Sequence, residues 1–376
     1  MKKNKQIALV LGTRPEIIKL SPLIRLFQKK KVPHFVIHSG QHYSYAMDKL
    51  FFEDLDLPTP RYRLDVRSKG ALSQSEQTGR LLIEIEKVLI KEMPYCVLVQ
   101  GDTNTVLAGA MTVSKFSTTK EFTGVQMLLG HVEAGLRSYD RSMPEEINRF
   151  ISDHISDLLF APTKNGAAIL AKEGVAREKI FMTGNTIVDA VQANVKIARR
   201  SSKILDTLGV KRGNYFLLTL HRQENVDNKQ RLKSVLEGLN LIGKTFGHEI
   251  IFPIHPRTVH KIRQFGYELP KGIRAIEPVG FLDFLLLESE ARLLLTDSGG
   301  VQEESMILRV PCVTLRDNTE RPETVTCGAN RLAGAQPKVM LAAARHMLKS
   351  KRRWKNVLGD GRAAERILKI VERHRP

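Results

Sequence analysis

Short runs of β-branched and aliphatic residues alternate with longer amphipathic stretches along nearly the whole chain, and this alternation restricts the fold more than any other feature. Parallel strands need a long crossover between them, usually a helix, so strand–helix repetition specifies an α/β architecture built on parallel sheets. Strands are expected at residues 7–11, 35–38, 96–100, 126–129, 158–161 and 180–182, with helical stretches between them such as 75–90. A second series follows at 216–220, 250–254, 274–277, 292–296 and 312–315, separated by amphipathic segments such as 230–243. The polar stretch 193–203, with its basic run at 199–203, reads as the connection between the series. Two α/β domains are therefore expected, 1–198 and 199–359, with the last helix, within 360–376, joining the first domain.

Length and composition agree with two domains. A chain of 376 residues exceeds one ordinary core, and 42% hydrophobic with 26% charged residues describes a globular protein. No apolar run approaches the roughly 20 residues that span a bilayer, and the basic start, Met1 to Lys5, leads straight into a strand pattern. No membrane association and no signal peptide are expected. Cys96, Cys312 and Cys327 are odd in number and lack CxxC or metal-ligand spacing, which points to reduced thiols and a cytoplasmic location. A net charge of +19 favours anionic partners, whether nucleic acid, an acidic surface or a phosphorylated small molecule. The clusters at 29–31 and 349–353 also read as solvated helix ends, and with 6% aromatics no stacking platform for single strands is evident. A nucleic-acid partner is not expected.

Ligands of open parallel sheets sit beyond the carboxyl ends of the strands, so polar residues just after strands are the candidates for chemistry. Gly12-Thr13-Arg14-Pro15-Glu16 follows the first strand and opens a helix, which with Arg14 and Lys19 suits an anion; it also reads as an ordinary βα turn. Asp102 follows the third strand, Glu133 the fourth, and Glu145 stands at a helix start. Carboxylates gathered at one sheet edge raise one another's pKa and can divide acid and base roles. Taken singly, Asp102 reads as an N-cap and Glu145 as a first-turn charge.

In the second series His221 and His255 each follow a strand. Their spacing is uninformative about metal binding, and no HExxH or Cys/His ligand cluster is present, so no metal is expected. Thr296-Asp297-Ser298-Gly299-Gly300 runs from a strand end into a helix whose backbone N–H groups can cradle a phosphate. Glu304, one turn further, can take two ribose hydroxyls, and Arg321 beside Pro322 can hold phosphate or a uracil edge. No GxxxxGK[ST] stretch is present, which disfavours a P-loop nucleotidase.

The ordered motifs GTRPEIIK (12–19), QGDTNT (100–105), GHVEAGLRS (130–138), PEEINR (144–149), TGNTIVDA (183–190), LHRQEN (220–225), TDSGGVQEE (296–304) and RDNTERPE (316–323) resemble those of the non-hydrolysing UDP-N-acetylglucosamine 2-epimerases over almost the whole chain. The resemblance implies two Rossmann-like domains in the glycosyltransferase-B arrangement with an interdomain active site, a homodimer, a UDP-sugar substrate and no cofactor. It implies Arg14, Ser298, Gly299, Gly300, Glu304 and Arg321 on the UDP with Phe284 near the uracil; His255, placed after a strand where it can face the cleft, is also read as substrate-binding. Lys19, Asp102, Glu133, Glu145 and His221 are implied around the sugar and leaving phosphate. The implied reaction eliminates UDP across C1–C2 to a 2-acetamidoglucal and adds it back with C2 inverted. Bacterial members often carry a second, activating UDP-sugar site that includes a Gln-His motif; here Gln41-His42 is followed by Tyr43-Ser44-Tyr45. The segment 116–124 is longer and more polar than is usual in that family. Three readings compete: a sugar transferase of the same architecture, which needs an acceptor groove but no proton relay; a hydrolysing epimerase; and a basic nucleic-acid-binding protein, which leaves the acidic strand-end motifs unexplained.

Overall fold

The computed structural model describes residues 5–40, 51–66, 72–118, 127–141 and 143–375. Gln41-His42, Tyr43 to Tyr45, residues 1–4 and residues 119–126 lie outside the described residues. The chain divides into two compact units, Met1–Ala190 with Leu358–Pro376, and Val191–Val357. The first division falls inside the helix Thr186–Ser201.

The first unit holds a seven-stranded sheet in the order β3-β2-β1-β4-β5-β6-β7. Its strands are β1 (Ile7–Leu11), β2 (His34–His38), β3 (Tyr62–Arg63), β4 (Cys96–Gln100), β5 (Leu128–Val132), β6 (Leu158–Ala161) and β7 (Ile180–Met182). Every pairing is parallel. Strands covered on both faces must be apolar along their whole length, and β1 is Ile-Ala-Leu-Val-Leu with all five residues fully buried. The order reverses direction between β1 and β4, which makes the carboxyl ends of these two strands the crevice where a doubly wound sheet receives ligands.

The second unit repeats the plan with β8 (Tyr215–Thr219), β9 (Glu249–Pro253), β10 (Ile273–Ile276), β11 (Leu293–Thr296), β12 (Cys312–Thr314) and β13 (Asn330–Leu332), in the order β10-β9-β8-β11-β12-β13. Its switch point lies between β8 and β11. Side-chain alternation sends Phe216 and Leu218 into a core with Leu232 and Leu239 of the helix Lys229–Phe246, while Tyr215 and Leu217 pack with Leu286 and Leu287 of the helix Phe281–Glu290. Each fully buried leucine contributes roughly 1.5–3 kcal/mol. The last helix, Ala363–Arg373, is anchored in the first unit: the N–H groups of Ala363 and Ala364 donate to the Asp189 carboxylate at 3.2 and 3.0 Å. Among the described residues, no helix is long and apolar enough to cross a membrane.

Three strand expectations need correction. β3 and β13 were not anticipated, because an edge strand pairs on one side only and these have just two and three residues, several of them polar. β5 runs to Val132, so His131 lies inside the strand and not after it. Gly130 looks like a strand end but is required within it: a Cβ there would sit 2.6 Å from Leu98 Cδ2 and 3.0 Å from Phe160 Cε2 on the flanking strands.

The turn after β5 depends on Gly135, whose φ of +81° is the left-handed region and whose added Cβ would lie 2.4 Å from the Gly166 carbonyl oxygen. Backbone cannot swing aside as a side chain can. Gly135→Ala is expected to lower unfolding free energy by on the order of 2–4 kcal/mol, read from denaturant titration. An unchanged midpoint would show that this turn tolerates a side chain.

Candidate active-site residues

At the first switch point β1 feeds the helix Arg14–Lys29, capped by Thr13 and with Pro15 in its first turn. Glu16 closes the cap by accepting from the N–H groups of Gly12 and Thr13 at 2.6 and 2.7 Å, and from the Thr103 hydroxyl at 2.5 Å. Burial pushes its carboxyl up to about 7, although those donors oppose the rise. Arg14 is half-buried, with its guanidinium 5.5 Å from the centre of the Phe51 ring.

Glu133 follows β5 on a left-handed backbone, φ +72°, a conformation that costs a non-glycine residue about 1–3 kcal/mol. Its carboxylate is buried and clasped from three sides. Lys19 Nζ donates to both oxygens at 2.6 and 2.7 Å, Gln100 Nε2 to one at 2.5 Å, and Asn185 Nδ2 to the other at 3.1 Å. A strained, charged, buried group at a sheet's ligand edge is more than a fold needs.

Beneath it, His131 is fully buried. Nδ1 lies 2.7 Å from Asp153 and Nε2 lies 2.8 Å from the Gly101 carbonyl. Both nitrogens face acceptors, which only the doubly protonated ring satisfies. Burial lowers its pKa, but the Asp153 ion pair and these hydrogen bonds outweigh it, and the net shift is upward. Arg137 also pairs with Asp153, at 2.7 Å, so this network fixes the turn that carries Asp102.

Asp102 pairs with Arg149, and its carbonyl accepts from Asn148 Nδ2 at 2.9 Å. Both belong to the helix Pro144–Ile155, whose first turn brings Glu145 to the same pocket. The pocket is about 500 Å³, with Asn104, Gln74 and Gln77 among its lining residues. Of the adjacent acids, Glu145 is exposed to the pocket, while Glu146 is buried and accepts from the N–H groups of Ser138 and Tyr139. The structure therefore gathers Asp102 and Glu145 in one pocket and ties Glu133 to Lys19.

In the second unit a pocket of about 320 Å³ is lined by His221, His255, Phe284, Ser298 and Val301, together with Pro253 and Pro278 among others. Four residues read as ligand contacts in the sequence thus meet. Ser298 occupies the N-cap position of the helix Gly299–Leu308 without a side-chain capping bond, and the first-turn N–H groups, which lack intrahelical acceptors, favour an anion. His221 is oriented by Asp297, a fully buried residue that accepts from the N–H groups of His221 and Arg222 at 3.0 and 2.9 Å and lies 3.5 Å from the His221 ring. Partial burial lowers the His221 pKa; Asp297 opposes this, Arg222 and His255 add to it, and the net shift is downward. His255 caps the helix Pro256–Gln264, its Nδ1 accepting from Arg257 N–H at 3.2 Å. Arg321 is held 2.9 Å from Glu303, and Arg316 pairs with Glu224 and Glu320, so the charge of 316–323 is largely paired internally.

Sequence reading gave no role to Asp297, Asn185, Gln100, Asn148 or Glu16. All five lie inside the quoted motifs, but they have partners far away in sequence, 33 residues for Gln100, 52 for Asn185 and 87 for Glu16.

Comparison with known proteins agrees over the same span. The family model described as UDP-N-acetylglucosamine 2-epimerase matches residues 25–372. A UDP-N-acetylglucosamine 2-epimerase of Methanocaldococcus jannaschii is 53% identical, covering 97% of this chain and 98% of its own length. The crystal structure of that organism's UDP-GlcNAc 2-epimerase in complex with UDP-GlcNAc and UDP superposes with a TM-score of 0.84 at 53% identity, over 98% of this chain and 99% of the other. A UDP-2,3-diacetamido-2,3-dideoxy-D-glucuronate 2-epimerase of Pseudomonas aeruginosa is 38% identical, over 97% of this chain and 99% of its own.

Proposed function

This chain belongs to the UDP-N-acetylglucosamine 2-epimerase family and is an epimerase, and from that premise we propose that it interconverts UDP-N-acetylglucosamine and UDP-N-acetylmannosamine without hydrolysis. The observation that carries the proposal is the buried Glu133 carboxylate, held by Lys19 on a strained backbone at a ligand-receiving sheet edge. In the reading, Ser298, Gly299, Gly300, Arg321 and Arg14 hold the diphosphate, Phe284 the uracil and Glu304 the ribose, with His255 lining the nucleotide site. The helix N-terminus beside Ser298 supports the diphosphate assignment.

The C1–O bond breaks with its electron pair leaving on the diphosphate, while a carboxylate removes the C2 proton to give a 2-acetamidoglucal. The diphosphate oxygen then rejoins C1, and a proton is delivered to C2 from the opposite face. Because C2–H is hardly acidic, departure of the diphosphate leads, and Lys19, Arg14 and a polarising His221 stabilise the charge it carries. Asp102, Glu133 and Glu145 supply acid and base on the two faces. The sequence of steps is redox-neutral, so it needs no hydride-carrying cofactor.

The proposal includes a homodimer, supported by exposed Ile83 and Ile90 on the helix Gln74–Glu92 and exposed Ile147 and Phe150 on the helix Pro144–Ile155. It includes a cytoplasmic location, supported by three free cysteines.

In deuterated water, incubation with UDP-N-acetylglucosamine is expected to yield UDP-N-acetylmannosamine carrying deuterium at C2, followed by NMR. Free sugar with UDP would instead identify the hydrolysing reaction. An unchanged substrate that keeps its C2 proton would reject this sugar as substrate.

A further inference from the structure

One fully buried acid takes no part in the chemistry described so far. Glu288 lies on the helix Phe281–Glu290 and is 0% exposed. Its helix neighbours Leu287 and Ala291 belong to an apolar cluster that also holds Leu294 and Val301. Neither of its carboxyl oxygens receives a hydrogen bond from an N–H or O–H donor. An ionised carboxylate in such a place carries a desolvation penalty that nothing nearby offsets.

The polar group that reaches it is the Glu304 carboxyl. Two carboxyls can bond only when one is protonated, because a carboxylate accepts and never donates. Burial first, and Glu304 second, hold the Glu288 proton well above the ordinary carboxylate range. The other titratable groups near Glu288 are Cys312 of β12 and Tyr215 of β8, whose pKa values are also raised by burial. None of them supplies a cation.

Helical register connects this pair to the pocket. Phe284 lies one turn before Glu288, and Val301 lies one turn before Glu304, so each acid stands one turn behind a pocket-lining residue on the same helix face. We propose that Glu288 is a neutral carboxylic acid whose O–H donates to Glu304 and fixes it as an acceptor for the ribose hydroxyls of the bound nucleotide, making Glu288 a positioning residue. The inference rests on the reading that Glu304 takes the ribose. The hydrogen bond holds one Glu304 oxygen and so limits how that carboxyl group can turn.

Binding of UDP and of its 2′,3′-dideoxy analogue, measured by calorimetry alongside steady-state kinetics, tests it. Glu288→Leu is expected to weaken UDP about tenfold, raise KM similarly, and leave kcat within about threefold. The dideoxy analogue, lacking the hydroxyls, is expected to lose little. Glu288→Gln keeps a donor and is expected to bind UDP within about threefold of the parent. Parent-like UDP binding by Glu288→Leu, while Glu304→Ala loses discrimination between the ligands, overturns the positioning role alone. Unaltered discrimination in Glu304→Ala overturns the ribose assignment itself. Should Glu288→Leu unfold, Glu288→Gln decides: a tenfold loss of UDP affinity there overturns the proposal.

Discussion

Glu133→Gln is expected to lower kcat by about 10²–10⁴-fold with KM changed far less, the range typical of removing a positioned general acid or base. The replacement keeps volume, but its single side-chain oxygen can accept from only one of the Gln100 and Asn185 amides, which now donate to different carboxylate oxygens at 2.5 and 3.1 Å, so the other amide must turn over. What disappears is the charge and the ability to carry a proton. The competing explanation is that Glu133 serves only as counterion to Lys19, which lies 2.6 Å away with both side chains largely buried. In that case Glu133→Asp, which keeps a charge for Lys19 but withdraws it by one methylene, would retain most of the rate. A Glu133→Asp variant slowed at least tenfold is expected. Coupled detection of epimerised product, with a thermal melt on each variant, separates loss of chemistry from loss of fold; a Glu133→Gln variant within tenfold of the parent kcat would remove Glu133 from the reaction.

Asp153→Asn carries the largest expected effect on stability, about 3–5 kcal/mol, because it removes the carboxylate paired with the buried His131 and one of the two paired with the buried Arg137, which keeps Glu173 at 2.7 Å. The Asp153 carboxylate lies 2.7 Å from both the His131 ring and Arg137 Nη1, and accepts from the Gly135 N–H at 3.1 Å. At roughly 2–4 °C per kcal/mol for a unit of this size, the melting temperature should fall by about 10 °C. The effect has a defined pH window. Burial raises the Asp153 pKa, but His131 and Arg137 outweigh it and the net is downward, so its contribution is present above the ordinary value of 3.8 and lost as pH falls through the folded one. The His131 pKa is raised, so its contribution is complete below the ordinary 6.5 and lost as pH rises through the folded value. The gap between parent and Asp153→Asn should be widest between about pH 4 and 6.5 and narrow on either side. A gap that does not narrow as pH rises above 6.5 would show that His131 contributes no charge to the folded protein.

The architecture was legible because it depends on local periodicity. Apolar runs such as 7–11 and 96–99 are buried on both faces and so have no polar positions to blur the signal. The exceptions were set by neighbours. Gly130 looks like a break until Leu98 and Phe160 are placed beside it, and β13 is a strand only because β12 lies next to it. For the site, the sequence by itself determined which chemical groups follow the strands: Asp102, Glu133, His221 and the Ser298-Gly299-Gly300 turn are polar residues at the ends of apolar runs. Only the tertiary structure decided what each of them faces. It turned Glu145 to the pocket and Glu146 to the Ser138 and Tyr139 backbone, set Asp297 behind His221, and closed Lys19 on Glu133 across 114 residues. The physical reason is range: strand and helix are specified by hydrogen bonds and side-chain periods within a few residues, whereas the environment of a buried charge is made by groups brought together only when the sheet forms.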